Sequence, residues 1–289
     1  MTKCAASLLI LAGVVGGCCT GTPPRDRSHA LLRVNENLAK IDGPVQYKAL
    51  VSFRFRDENG KMHRFLPHDA SVIFEPPAAL RFDVRSTLAG EVAQFGSNDE
   101  YYWLWTDTPD VRKLWYGRWD QIADGSVKRL AIPPNDLLDA LMLRPLPERL
   151  GDGPLLTLRK ETDDCRLVYL RVEPGGHTVG MREVLLDPCE PHQPTEIIDR
   201  TPDGEVVMHA RLRDYRRAGR DGPFTPRRYQ VEWPRSEAAL NLDVLLVRDR
   251  SDLEPEVFEF PAGWQGEIET LDEPEADLSN WSTKIPTTP

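Results

Sequence analysis

Between Val45 and Arg56 the chain alternates apolar and polar side chains, with Ala49, Val51, Phe53 and Phe55 set between Lys48, Ser52, Arg54 and Arg56. Successive residues of a strand point to opposite faces, so this pattern predicts a strand with one buried and one wet face. Asp57, Glu58, Asn59 and Gly60 follow as a hairpin turn. Further strand candidates recur near 69–75, 80–86, 91–96, 101–106 and 111–117, then 155–160, 166–173, 179–187, 195–200, 205–214, 228–233, 242–248 and 256–260. Short, regular spacing with Gly, Asp and Pro between the runs predicts an antiparallel meander.

Two segments break the alternation. Leu31, Val34, Leu38 and Ile41 recur at three-to-four spacing and predict a helix over 28–42, closed by Gly43 and Pro44. Leu137, Leu138, Leu141 and Met142 predict a second over 134–144, with Asn135 as a possible cap and Pro133, Pro134, Pro145 and Pro147 bracketing it. No internal repeat or long linker divides the chain, so residues 28–265 are read as one β-dominated domain. The acidic residues 266–289 are read as a flexible tail.

The N-terminus carries a different message. Lys3 precedes an apolar run, Ser7 to Val15, which is followed by Gly16, Gly17 and Cys18. The run is about half the ~20 residues that a spanning helix needs, so 1–17 read as an export signal. Val15, Gly16, Gly17 and Cys18 resemble the lipobox of bacterial lipoproteins, which implies a lipidated Cys18 on a tether over 18–27. Cys19 as the modified residue, and ordinary secretory cleavage, stay open. The residue after Cys18 is not acidic, which by resemblance to known envelopes favours the outer membrane, facing the periplasm, over the inner one.

Lys and Arg number 36 against 46 Asp and Glu, a net charge of −10. Such a surface excludes nucleic acid as a natural partner and leaves membrane attachment to acyl chains. The chain has no phosphate-binding glycine loop, nucleophile elbow or zincin helix. His29, His63, His68, His177, His192 and His209 stand in unrelated contexts, and Cys189 with His192 lacks the second pair that a zinc site needs. We therefore expect no enzyme, no cofactor and no metal centre.

Aromatic residues are dense in the second quarter of the chain. On successive strands Phe53, Phe55, Phe74, Leu80, Phe82, Val84, Trp103 and Trp105 recur at period two, and Leu137, Leu138 and Leu141 offer an apolar helix face above them. These residues either fill an ordinary core or line an apolar cavity on the concave side of a curved sheet, and periodicity alone does not separate the two.

The order of elements resembles the LolA/LolB-like superfamily, the periplasmic lipoprotein carrier and its outer-membrane receptor. Val72 to Phe82, through Pro76 and Pro77, resembles that family's strand, proline turn and next strand. Phe95 to Trp103 is similar to its turn before an aromatic strand, and Phe258 to Gly263 to its closing strand. The resemblance implies an α+β, β-dominated fold: an unclosed antiparallel β-barrel of about eleven strands with two or three helices plugging the mouth. It implies binding of acyl chains, lipids or lipoproteins, and makes Leu88, in the loop after Arg85, a membrane or cargo contact. A structural or assembly lipoprotein that binds a protein partner is the alternative. Pro76 stands where the carrier has an arginine that controls lid opening, so that device is absent here.

One cross-link is expected. If the strands flanking the turn at Pro174 to His177 pair about a centre near 177, Cys165 faces Cys189, and an oxidising compartment would join them.

Overall fold

A computed structural model describes residues 23–56, 60–108, 111–123, 132, 134–149, 155–160, 165–172, 176–261 and 264–271. The lipobox, the 57–59 turn, Pro133 and the end of the tail lie outside the described residues.

The elements begin with helix α1 (Arg27–Leu38) and continue through β1 (Val45–Arg56), β2 (Met62–Glu75), β3 (Ala79–Ser86), β4 (Gly90–Ser97), β5 (Tyr101–Asp107) and β6 (Arg112–Arg118). Two short helices follow, α2 (Trp119–Ala123) and α3 (Pro134–Ala140). The second half holds β7 (Leu155–Lys160), β8 (Cys165–Val172), β9 (Thr178–Leu186), β10 (Pro194–Arg200), β11 (Val206–Arg213), β12 (Arg216–Arg217), β13 (Phe224–Thr225), β14 (Arg228–Trp233), β15 (Ala238–Asp249) and β16 (Glu267–Thr270).

Fourteen strands form one sheet in the order β16-β6-β5-β4-β3-β2-β1-β15-β14-β11-β10-β9-β8-β7, with β12 and β13 as a separate ribbon. The expected count of about eleven is too low. The ladder is antiparallel throughout except where β16 runs parallel to β6. β7 and β16 are the two ends and do not pair, so among the described residues the sheet is not closed. Antiparallel hairpins build the two halves, β1 to β6 and β7 to β11. The long β15 joins them by pairing β1 on one side and β14 on the other.

Several sequence boundaries shift. β2 begins at Met62, earlier than expected, because the ladder with β1 continues past an irregularity between Val51 and Phe53. α1 opens one residue early, where the Asp26 carboxylate accepts the His29 N–H at 2.9 Å, and it stops at Leu38. α3 is shorter than 134–144, because Met142 takes a left-handed backbone with φ 53°. The predicted strand at 256–260 is a 3₁₀ turn, Pro255–Phe258, consistent with proline at its first position. β16 lies within the segment read as a flexible tail, and Leu271 beyond it is 2 % exposed.

Candidate functional site

The inner face of the sheet follows from the register. Phe74 pairs with Leu80, Val72 with Phe82 and Ala70 with Val84, and each of these pairs stands beside the buried face of β1 that carries Tyr47, Val51, Phe53 and Phe55. Phe53 stacks on Phe65 with centroids 4.0 Å apart and meets Phe95 edge-on. On α3 Leu137 and Leu138, and just beyond it Leu141, are buried in the same apolar cluster. A fully buried Leu or Phe gains roughly 1.5–3 kcal/mol, so this apolar seat alone holds a helix of two turns.

A polar anchor completes the seat. Arg182, on the inner face of β9 in phase with Val184, bonds Asp199 of β10 through Nε and Nη2, both at 2.6 Å. The same Nη2 donates to Asp139 of α3 at 2.8 Å. Arg144, just beyond the helix, donates from Nε to Asp139 at 3.0 Å and from Nη1 to Asn135 at 2.9 Å. Burial works against the charge on Arg182, but its bonds to Asp199 and Asp139 outweigh that and keep it protonated. Asp136, one turn before Asp139, is pushed up to about 7 by burial and by the charges of Asp199 and Asp139, against the pull of Arg182 and Trp233. Burial also raises Asp199, against its bonds to Arg182.

Sequence reading missed this anchor. Its signal was available: an arginine and an aspartate at inward positions of β9 and β10, in phase with Val184 and Ile197, where a half-buried strand should be apolar.

The space left under α3 is small. Leu80, Phe95, Ser97, Ile132, Leu137 and Leu138 border a cavity of ≈20 Å³. That is room for one water, not for an acyl chain.

Trp103 and Trp105 do not share that face. Ser97 pairs with Tyr102 and Phe95 with Leu104, so the inward residues of β5 are Tyr102, Leu104 and Thr106. The two tryptophans form a second cluster on the outer face with Leu114 and Tyr116, against which Phe260 and Trp264 pack. Trp103 borders the small cavity only because Gly96 carries no side chain to separate them.

Cys165 is buried opposite Leu186, not Cys189. The β8–β9 hairpin is centred near residue 175 and not 177, so Cys165 meets Leu186 in the ladder while Cys189 follows in the turn after β9. Leu88 stands at the tip between β3 and β4 and is 98 % exposed. Among the described residues no group of three or more His, Cys, Asp or Glu is placed to hold a metal ion, and no helix is long and apolar enough to cross a membrane.

No family model matches the chain, and no curated protein matches it by sequence. Among solved structures it is similar to a DUF1329 family protein from Desulfovibrio piger, with a TM-score of 0.50 and 13 % identity over 82 % of this chain and 98 % of that one. It is also similar to a putative outer membrane lipoprotein-sorting protein domain from Vibrio parahaemolyticus (TM-score 0.49, 10 % identity, 79 % and 95 % covered). A LolA superfamily protein from Nitrosomonas europaea follows (TM-score 0.46, 15 % identity, 78 % and 97 % covered). The Desulfovibrio likeness shows a shared fold, and nothing beyond the fold.

Proposed function

We propose that this chain is an exported lipoprotein of the cell envelope that binds acyl chains of lipids or lipoproteins between the inner face of its sheet and α3. In this reading residues 1–17 are the export signal, Cys18 carries the lipid that holds the protein to the outer membrane, and 18–27 tether a folded domain that begins at 28. The domain is a half-barrel whose mouth is plugged by α1 and α3, and its role is binding, not catalysis.

The observation that carries the reading is the seat of α3. A helix of only seven residues covers a broad apolar face. It is tied there by Asp139 to one buried guanidinium, in a network that joins two carboxylates, Asp139 and Asp199, to two arginines, Arg182 and Arg144. An apolar face of this extent gains ~0.8 kcal/mol for each acyl CH₂ that replaces water contact. The cavity beside Leu137 and Leu138 is too small for a chain, so in this reading the chain enters there when α3 leaves its seat. Leu88, fully solvated at a loop tip, is in this reading the contact to membrane or cargo.

The small size of that cavity favours a second reading, an assembly lipoprotein that binds a protein partner and takes up no lipid. Native mass spectrometry of the purified chain, with lipid extraction and titration of a fluorescent fatty acid, separates the two. Co-purified lipid or saturable fatty-acid binding supports the first. A lipid-free mass with no fatty-acid binding overturns it.

A further inference from the structure

The C-terminal end of α1 closes over a second cavity of ≈10 Å³, lined among others by Val34, Leu38, Tyr47, Leu141, Thr225 and Tyr229. Its lining combines apolar side chains such as Val34 and Ile41 with the polar Asn37, Gln193 and Thr225 and with phenols. The hydroxyls of Thr225 and Tyr229 are buried without a hydrogen-bond partner, in residues that are 4 % and 1 % exposed. Arg227 alternates with them along the chain, and its Nε and Nη1 are likewise buried and unpartnered. Among the described residues Arg227 has no ion pair. Its charge acts on the phenols of Tyr47 and Tyr229, opposing the burial that drives both upward.

Buried polar groups are normally bonded, and an unpaired guanidinium is among the costliest exceptions. Every orphan here can donate: two Arg N–H groups and two hydroxyls. No carboxylate is in the cavity lining, and the amide oxygens of Asn37 and Gln193 there already accept from Phe224 N–H and Asn37 Nδ2. A ligand that satisfies the orphans together must offer several acceptor oxygens and a negative charge, which describes a carboxylate or phosphate. Leu38 and Leu141 continue the cavity wall as apolar surface, so an acyl chain attached to that head has an adjacent path beneath the helices.

We infer that Arg227, Tyr229, Thr225 and Tyr47 form a headgroup subsite for an acyl amphiphile bearing an oxyanion, either a fatty-acid carboxylate or a lipid phosphate. The inference rests on the acyl-binding reading above and names its ligand class. As the closed cavity holds at most one water, the head enters only when α1 or the turn at Met142 gives way.

The test uses the purified full chain and three probes of equal chain length, dodecanoate, dodecyl phosphate and dodecanol, competing against a fluorescent fatty alcohol. At least one anion should bind tenfold or more tighter than dodecanol, and the ranking of carboxylate against phosphate identifies the source. Arg227→Gln should erase most of that preference and leave dodecanol unchanged. Arg227→Lys should keep part of it, and Tyr229→Phe should lower it a few-fold. Should Arg227→Gln fail to fold by circular dichroism, the lysine and phenylalanine variants decide. Equal binding of all three probes, or an anion preference that survives the substitutions, overturns the headgroup subsite and leaves the acyl reading standing. Binding of none of them overturns both.

Discussion

Arg182 on β9 and Asp139 on α3 meet at 2.8 Å, so one guanidinium that already holds Asp199 also fastens the helix to the sheet. Truncating one partner of a buried pair leaves the other's charge uncompensated, at a typical cost of about 3–5 kcal/mol. Arg182→Gln is expected to lower the unfolding free energy by an amount in that range, because two carboxylates lose their shared cation. Arg144→Gln should cost less, since Arg144 is more exposed and Asp139 keeps Arg182. Urea denaturation of both variants checks the order, and a loss below 1 kcal/mol for Arg182→Gln would contradict the anchor.

The same cluster predicts a pH dependence. Asp136 has an ordinary value of 3.8 and is pushed up to about 7 in the fold by burial and by the nearby charges of Asp199 and Asp139. Between those values the folded state holds a proton that the unfolded state has lost, so stability falls as pH rises through the window and levels off above it. The sign is opposite to that of a salt-bridged carboxylate. Asp136→Asn should flatten this slope and stabilise the protein at pH 8 relative to the parent. Melting curves from pH 5 to 8.5 read the difference. Parallel curves for parent and variant would show that Asp136 does not titrate in this range.

Much of the fold was legible because alternation is a local signal. The phase of Ala49, Val51, Phe53 and Phe55 predicts the inward face of β1, and the register carries that face to Phe74, Leu80, Phe82 and Val84. The segment Tyr101 to Thr106 defeated the same argument. It is apolar on both faces, so alternation assigns no direction, and only pairing with Ser97 and Phe95 turns Trp103 and Trp105 outward. The register of Cys165 was misjudged because the hairpin between β8 and β9 is centred near 175 and not 177, a shift that composition does not reveal. The Arg182 anchor is non-local, since its partners lie 17 and 43 residues away. β16 was hidden because a four-residue strand of charged and apolar residues has no period to read; its place comes from Lys113, which bonds Glu269 at 2.6 Å.

Leu88 allows a clean separation of stability from contact. At 98 % exposure it buries nothing, so Leu88→Glu should leave the unfolding free energy within about 0.5 kcal/mol of the parent. If it touches membrane or cargo, the variant should lose most of the binding to anionic vesicles or to a lipidated peptide in co-sedimentation. Unchanged binding by a folded variant would reduce Leu88 to an ordinary exposed leucine.

Gly96 carries the most local prediction. A Cβ added there would overlap the Trp103 indole directly, and that ring is not free to move. Its Nε1 donates to Gln94 Oε1 at 2.9 Å, and Gln94 Nε2 in turn donates to Asp83, which is 3 % exposed, at 2.7 Å. Displacing the ring therefore breaks a buried chain of bonds as well as the packing with Phe260, whose ring lies 5.5 Å away. Overpacking of this kind costs typically 1–3 kcal/mol, so Gly96→Ala should be destabilising by that amount and should alter tryptophan fluorescence. Trp103→Phe removes the ring that the new methyl would strike, at its own cost in packing and hydrogen bonding. The two substitutions together should cost less than the sum of the singles, by 0.5 kcal/mol or more, because neighbours in contact do not add. Strict additivity in a double-mutant cycle would mean that the indole does not lie over Gly96, and with it would fall the outward placement of the tryptophan cluster.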